Sequence, residues 1–127
     1  LAGCVMMLDD PKAILKKFKR AVTDSESEVR YDVAAKPGVS SLLDILAAVS
    51  GTTPQAAAEG YTQYGPLKVD TGEAVVAMLE PIQARYHELI DDKAELARLL
   101  QIGADRARGV ASQTLQRAYD AIGILPR

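Results

Sequence analysis

The sequence predicts an all-α chain, a bundle of about five helices with a loop-rich connector after the first. Three observations lead there. Alanine and leucine are abundant, and β-branched residues never gather into the alternating runs that strands need. Apolar residues recur at helical spacing in several separate segments. Those segments are punctuated by Asp-Pro or Thr-Pro in front and Gly behind, the usual start and stop signals of helices.

The first helix should begin at Pro11. Asp10 can accept hydrogen bonds from the free N–H groups of the first turn, and proline loses nothing there. Ile14, Leu15, Phe18 and Ala21 then fall on one side, with Lys12, Lys16, Lys19 and Arg20 on the other. The apolar side must pack. The basic side is either a solvated face, helped by cations near a helix C-terminus, or a surface for phosphates.

From Thr23 to Lys36 the periodicity stops, because turn formers with side-chain acceptors replace the apolar repeat. A minimal hairpin within residues 22–33 is allowed but not required. The charges of this stretch either pair with neighbouring lysines or meet a ligand. Carboxylates accept hydrogen bonds from cytosine amino groups, and Arg30 and Tyr31 offer planar faces to unstacked bases.

Lys36-Pro37-Gly38 reads as a turn, after which Ser40 or Ser41 should cap a second helix that buries Leu42, Leu43, Ile45, Leu46 and Val49 and ends at Gly51. Thr53 and Pro54 open a short third helix that runs to Gly60. Tyr61, Tyr64 and Gly65-Pro66 read as a loop. A fourth helix follows from about residue 67 to 90, with a kink expected at Pro81. Asp91-Asp92 separate it from a fifth helix over residues 93–122. The stripe of that helix, from Leu96 through Leu99, Gly103, Ala107, Val110 and Thr114 to Ile122, is narrow enough for another helix axis to come close. Gly123 stops it, and residues 124–127 form a short tail.

Composition bounds the function. With 127 residues the chain is one domain's worth, and 48% hydrophobic against 25% charged residues is the balance of a chain that folds. The formal net charge of −2 argues against nucleic-acid binding by bulk electrostatics, so any basic site must be local. A single cysteine, Cys4, forbids an internal disulfide and leaves too few thiols for a zinc site, which fits a reducing, cytoplasmic setting. No apolar run approaches the roughly 20 residues of a membrane span. The start at Leu1 suggests a fragment of a longer chain.

Catalysis needs a nucleophile beside a base, two carboxylates in unlike environments, or a metal cluster, and none stands out. Asp9-Asp10 is better explained by capping. His87, the lone histidine, has no second histidine or cysteine nearby and reads as a surface residue. No cofactor site is evident in the chain.

The stretch over residues 8–46 carries a resemblance. A basic helix opened by Asp-Asp-Pro, then Ala-Val-Thr-Asp-Ser, Arg-Tyr-Asp and Lys-Pro-Gly-Val-Ser, resembles the segment after the KMSKS loop of bacterial tryptophanyl-tRNA synthetases. The blocks Tyr61 to Lys68, Glu73 to Val76, Pro81 to Arg85, Gly103 to Ala107 and Val110 to Thr114 resemble the same family, so the similarity covers nearly the whole chain. Ser41 stands where that family commonly has Asn, and the loop at Tyr64 and Gly65 is shorter than its glycine-rich version. The Lys-Pro-Gly-Val-Ser block favours the tryptophan branch over the tyrosine one.

The resemblance implies a helical C-terminal domain spanning residues 1–127 that binds the anticodon of tryptophan tRNA. The parent, a class I synthetase, would activate tryptophan with ATP and Mg and transfer it to tRNA. The resemblance places the HIGH-type and KMSKS motifs and most of the homodimer contact in a preceding catalytic half, so this chain alone should catalyse neither step. On this chain the implied tRNA-binding residues are Lys12, Lys16, Lys19 and Arg20 for phosphates, and Asp24, Arg30, Tyr31, Asp32 and Lys36 for anticodon bases; neither DNA nor a membrane is an expected partner. The alternative is a helical module without enzymatic activity that binds another protein through Cys4 to Leu8 and the stripe on the last helix.

Overall fold

The structure, a computed structural model, describes residues 3–123. Residues 1–2 and the tail expected at residues 124–127 lie outside the described residues. Five helices follow in order: α1 (Pro11–Lys19), α2 (Pro37–Ser50), α3 (Pro54–Glu59), α4 (Tyr64–Asp91) and α5 (Lys93–Ile122). Among the described residues there is no strand, and residues 22–33 form no hairpin. Two compact units are present, Leu1–Ala84 and Arg85–Arg127.

The first unit holds the core. Asp10 caps α1 as its sequence requires, accepting from the Lys12 N–H at 2.9 Å and the Ala13 N–H at 3.3 Å. That cap fixes where α1 starts, and its apolar side turns inward. Ile14 and Phe18 are buried together with Val39, Leu42, Leu43 and Leu46 of α2, Ala58 of α3, and Leu67, Val75 and Leu79 of α4. α1 lies close on α4 because Gly72 is there: a Cβ at this position would stand 3.1 Å from Leu15 Cδ2 and 3.3 Å from Phe18 Cβ. Thr53 caps α3, with its hydroxyl accepting from the Ala56 N–H at 3.2 Å, and Gly51 ends α2 in the left-handed region at φ 68°.

Two boundaries differ from the sequence reading. Lys36-Pro37-Gly38 is no turn, since α2 already begins at Pro37 with Lys36 as an N-cap that makes no side-chain capping bond. Ser40 is inside the helix, and its Oγ instead accepts from the Asp32 N–H at 2.9 Å. Gly38 is needed for packing: a Cβ would collide with the Val22 carbonyl oxygen where the connector crosses the start of α2. Likewise Tyr64, Gly65 and Pro66 form the first turn of α4 rather than a loop. A proline costs a first turn nothing, because the N–H groups there have no intrahelical partner. α4 then continues through Pro81 to Asp91.

The second unit comprises the end of α4 and α5. Asp92 opens α5 by accepting from the Glu95 N–H at 3.0 Å, and Gly123 closes it at φ 73°. No residue of α5 is buried. The stripe predicted to pack is thus open in this chain, with Leu100, Val110 and Ile122 each about two-thirds exposed or more. Arg98 and Arg108 are solvated and pair along the helix with Glu95 and Asp105. His87 is exposed, edge-on to Tyr86 at 5.5 Å between ring centroids.

Candidate nucleic-acid interface

α1 has nine residues, and burial of Ile14 and Phe18 dictates what faces outward. Lys12, Lys16, Lys19 and Arg20 are all exposed and, with Leu15, line one shallow depression. None of the four takes part in an ion pair among the described residues. Lys17 differs: it turns to the other flank, where its ammonium meets Asp9 Oδ2 at 2.5 Å. That pair, with the Met6 N–H also donating to Asp9, holds the Asp9 carboxyl below its ordinary value. Gln83 of α4 donates to the Met7 carbonyl at 2.8 Å and the Asp9 carbonyl at 3.0 Å, fixing the segment that leads into α1. The four free cations therefore stand in a row on a helix anchored at both its start and its buried face.

The connector between α1 and α2 is held by side chains. Lys36 is 1% exposed, and its ammonium has three acceptors: Glu26 Oε2 at 2.8 Å, Asp24 Oδ1 at 3.0 Å and the Tyr64 hydroxyl at 3.1 Å. An ammonium has three protons, so it is saturated. The Tyr64 hydroxyl donates to Asp24 Oδ1 at 2.6 Å and lies 3.0 Å from the Glu28 carbonyl oxygen. The Glu26 N–H also reaches Asp24 Oδ1, at 2.9 Å, whereas Oδ2 is buried without a protein partner. Between Glu26 and Glu28, Ser27 takes a left-handed φ of 64°, a turn that L-residues adopt at a cost. Lys68 of α4 adds a bond to Thr23 Oγ1 at 3.0 Å.

The charges answer to this geometry. The Tyr64 hydroxyl, the Glu26 N–H and the Lys36 ammonium hold the Asp24 carboxyl well below the carboxylate range, against the opposing effect of its burial. Burial pushes the Lys36 ammonium down, yet Glu26, Tyr64 and Asp24 together outweigh it and leave the group raised. The Tyr64 phenol is raised by burial and by Asp24.

The predicted contact residues thus separate into two kinds. Lys36 is buried and Asp24 is turned inward with it, so neither presents its charge outward; both hold the connector. Asp32 caps the turn at residues 33–35, its Oδ1 accepting from the Ala34 and Ala35 N–H groups at 3.1 and 2.9 Å. Tyr31 packs partly against the core, and its phenol is raised by the neighbouring Asp44 carboxylate. Arg30 has a side chain 41% exposed, in contact with Glu28 and 3.6 Å from Glu26 and Asp32. Tyr64 and Lys68, which tie α4 to the connector, are not among the residues that the sequence singles out. The only signal for them is their shared place in the Tyr61 to Lys68 block.

Among the described residues no group of three His, Cys, Asp or Glu side chains is placed to hold a metal, and none of their helices is long and apolar enough to cross a membrane. What this surface offers is a row of four unpaired cations beside a braced, charged connector. The profile of one protein family, tRNA synthetases class I (W and Y), matches residues 2–87. The chain belongs to that family. The matched residues include α1, the connector, α2, α3 and most of α4. Among relatives of this class I synthetase chain, the tryptophan–tRNA ligase of Mycobacterium leprae is 49% identical over 128 residues, covering 99% of this chain and 37% of that protein. The tryptophan–tRNA ligase of Corynebacterium glutamicum is 46% identical over 125 residues, covering 97% of this chain and 36% of that protein. The crystal structure of tryptophanyl-tRNA synthetase from Mycoplasma pneumoniae matches with a TM-score of 0.82 and 27% identity, over 96% of this chain and 38% of that one. The chain therefore spans little more than a third of the length of these relatives.

Proposed function

We propose that this chain is the C-terminal, anticodon-binding part of a tryptophan–tRNA ligase, and that the face of α1 carrying Lys12, Lys16, Lys19 and Arg20 holds the tRNA backbone. The observation that carries this reading is a 49% identity along 99% of the chain to a ligase named for tryptophan and its tRNA. The geometry supports it, since four exposed cations without carboxylate partners can neutralise phosphates, which a net charge of −2 spread evenly could not. Arg30 and Tyr31, with the carboxylate of Asp32, would meet anticodon bases by stacking and edge hydrogen bonds. In the whole protein, tryptophan is activated with ATP and Mg and passed to tRNA in a nucleotide-binding half, and two such chains pair as a homodimer.

Charge reversal tests the reading. Lys16→Glu with Lys19→Glu is expected to weaken binding of tryptophan tRNA and to flatten the dependence of log K on log salt by about 0.7 for each phosphate no longer neutralised. Unchanged affinity and slope would sink the placement on α1. A second reading, a helical module that docks another protein, draws on the exposed Leu100, Val110, Leu115 and Ile122 of α5. It predicts only weak, sequence-blind RNA association that the double charge reversal leaves alone.

A further inference from the structure

A lysine 1% exposed is unusual, because its ammonium must be desolvated and its long stem ordered. Lys36 meets that cost by giving all three protons to acceptors from separate parts of the chain: Asp24 and Glu26 of the connector, and Tyr64 at the first residue of α4. Tyr64 reaches the connector itself through Asp24, and its ring lies 5.8 Å from the Lys36 ammonium. Two further contacts pin the connector's entry: Lys68 on Thr23, and the Val22 carbonyl pressed against Gly38. Most of the fastenings sit on residues 22–28 or at Lys36; beyond them the Asp32 N–H donates to Ser40 Oγ at 2.9 Å and Tyr31 packs partly against the core. Arg30, between them, is held only by carboxylates of its own stretch.

We propose that Lys36, Asp24 and Tyr64 are positioning residues: they lock the connector across the starts of α2 and α4 so that Arg30 and Tyr31 are presented to anticodon bases, and they do not touch the RNA themselves. This rests on the tRNA-binding reading and assigns it a division of labour. The α1 cations supply affinity that depends on salt and ignores the bases; the connector supplies base preference and depends on the buried lysine. Arg30 can exchange the exposed carboxylate of Glu28 or Asp32 for a base edge without disturbing the fastening, because neither takes part in the Lys36 cluster; Glu26, which does, stands 3.6 Å from Arg30 and stays with Lys36 at 2.8 Å.

The test measures binding of tryptophan tRNA transcript, and of the same transcript with its anticodon changed, across a potassium chloride series. Lys36→Met keeps most of the stem volume, and Tyr64→Phe removes one oxygen, so the second carries the test if the first fails to fold. Both variants are expected to keep the wild-type salt slope while their preference for the native anticodon falls by about tenfold. In both, amide exchange should accelerate over residues 24–35 while the core of α2 stays protected, a pattern that global unfolding does not give. Lys16→Met is the contrast: binding of both transcripts weakens alike and the slope drops by about 0.7. The inference is overturned if Lys36→Met lowers the slope as Lys16→Met does, since the ammonium would then be neutralising a phosphate. It is also overturned if anticodon preference survives in both variants, or if their connector amides stay protected. A wild-type chain that binds both transcripts equally, with no response to Lys16→Met, removes the tRNA reading and this inference with it; a response to Lys16→Met without anticodon preference removes the inference alone.

Discussion

Asp24 and Lys36 brace the connector with opposite charges, so its stability must depend on pH at both ends. The Asp24 carboxyl is held below its ordinary 3.8 in the folded chain. Its contribution is therefore complete above that ordinary value and is lost as pH falls toward the depressed one. The Lys36 ammonium is raised above 10.5, so its contribution is complete below that value and is lost as pH climbs through the raised one. The Tyr64 hydroxyl is the largest cause of the shift on Asp24. Tyr64→Phe should consequently lower the thermal midpoint near neutral pH by a few degrees. The gap to wild type should narrow as pH is taken from about 6 to about 2, because the variant has less depression left to lose. Midpoints followed by circular dichroism check this, and a gap that stays constant with pH would mean that the hydroxyl acts through the neutral Glu28 carbonyl rather than through Asp24. Pairing of the connector's charges with a neighbouring lysine is one of the two readings that the sequence allows, but the burial of Lys36 and the part played by Tyr64 are not legible in it. There Lys36 looks like a turn residue facing a ligand, because a Pro-Gly pair follows it and lysine is seldom buried. Its partners Glu26 and Tyr64 lie 10 residues before it and 28 after it, and no local pattern joins them.

At the scale of elements, caps are legible and close approaches are not. Asp10-Pro11, Thr53-Pro54, Asp92, Gly51 and Gly123 act within one turn of themselves, and each ends or begins a helix where the sequence says it should. Gly38 signals a turn in sequence, yet it serves a crossing: the connector passes so near the start of α2 that only hydrogen fits there. The sign of a substitution separates the two roles. In an open helix Gly→Ala stabilises by up to about 1 kcal/mol, through helix propensity and a smaller unfolded-state entropy. Gly38→Ala must instead displace a backbone carbonyl and is expected to destabilise by about 1–3 kcal/mol, as overpacking does. Gly103→Ala in α5 has nothing within 4 Å of the new methyl group and should follow the propensity rule. Urea unfolding of the two variants gives both signs, and a stabilised Gly38→Ala would refute the tight crossing.

Across the whole molecule, what folds and what is proposed to bind occupy the same stretch of chain. Every buried apolar residue of the core cluster falls between Ile14 and Leu79, and every proposed contact falls between Lys12 and Asp32. The compact unit Leu1–Ala84 contains both. Five helices are legible from periodicity and punctuation, but the inward stripe expected of α5 stays open in this chain, because helical periodicity specifies a face and says nothing of what covers it. A polypeptide of residues 1–91, ending with α4, keeps the entire core, the α1 cations and the braced connector. It is expected to unfold in one cooperative transition and to bind tryptophan tRNA with the salt slope of the 127-residue chain and an affinity within a factor of about two. Equilibrium unfolding and the salt series check the two halves of the expectation separately. Cooperative folding without RNA binding would transfer that role to α5, whose Arg98, Arg106, Arg108 and Arg117 would then be the cations to reverse. Retained binding would leave α5, with its exposed Leu100, Val110, Leu115 and Ile122, as an apolar surface that the RNA does not require.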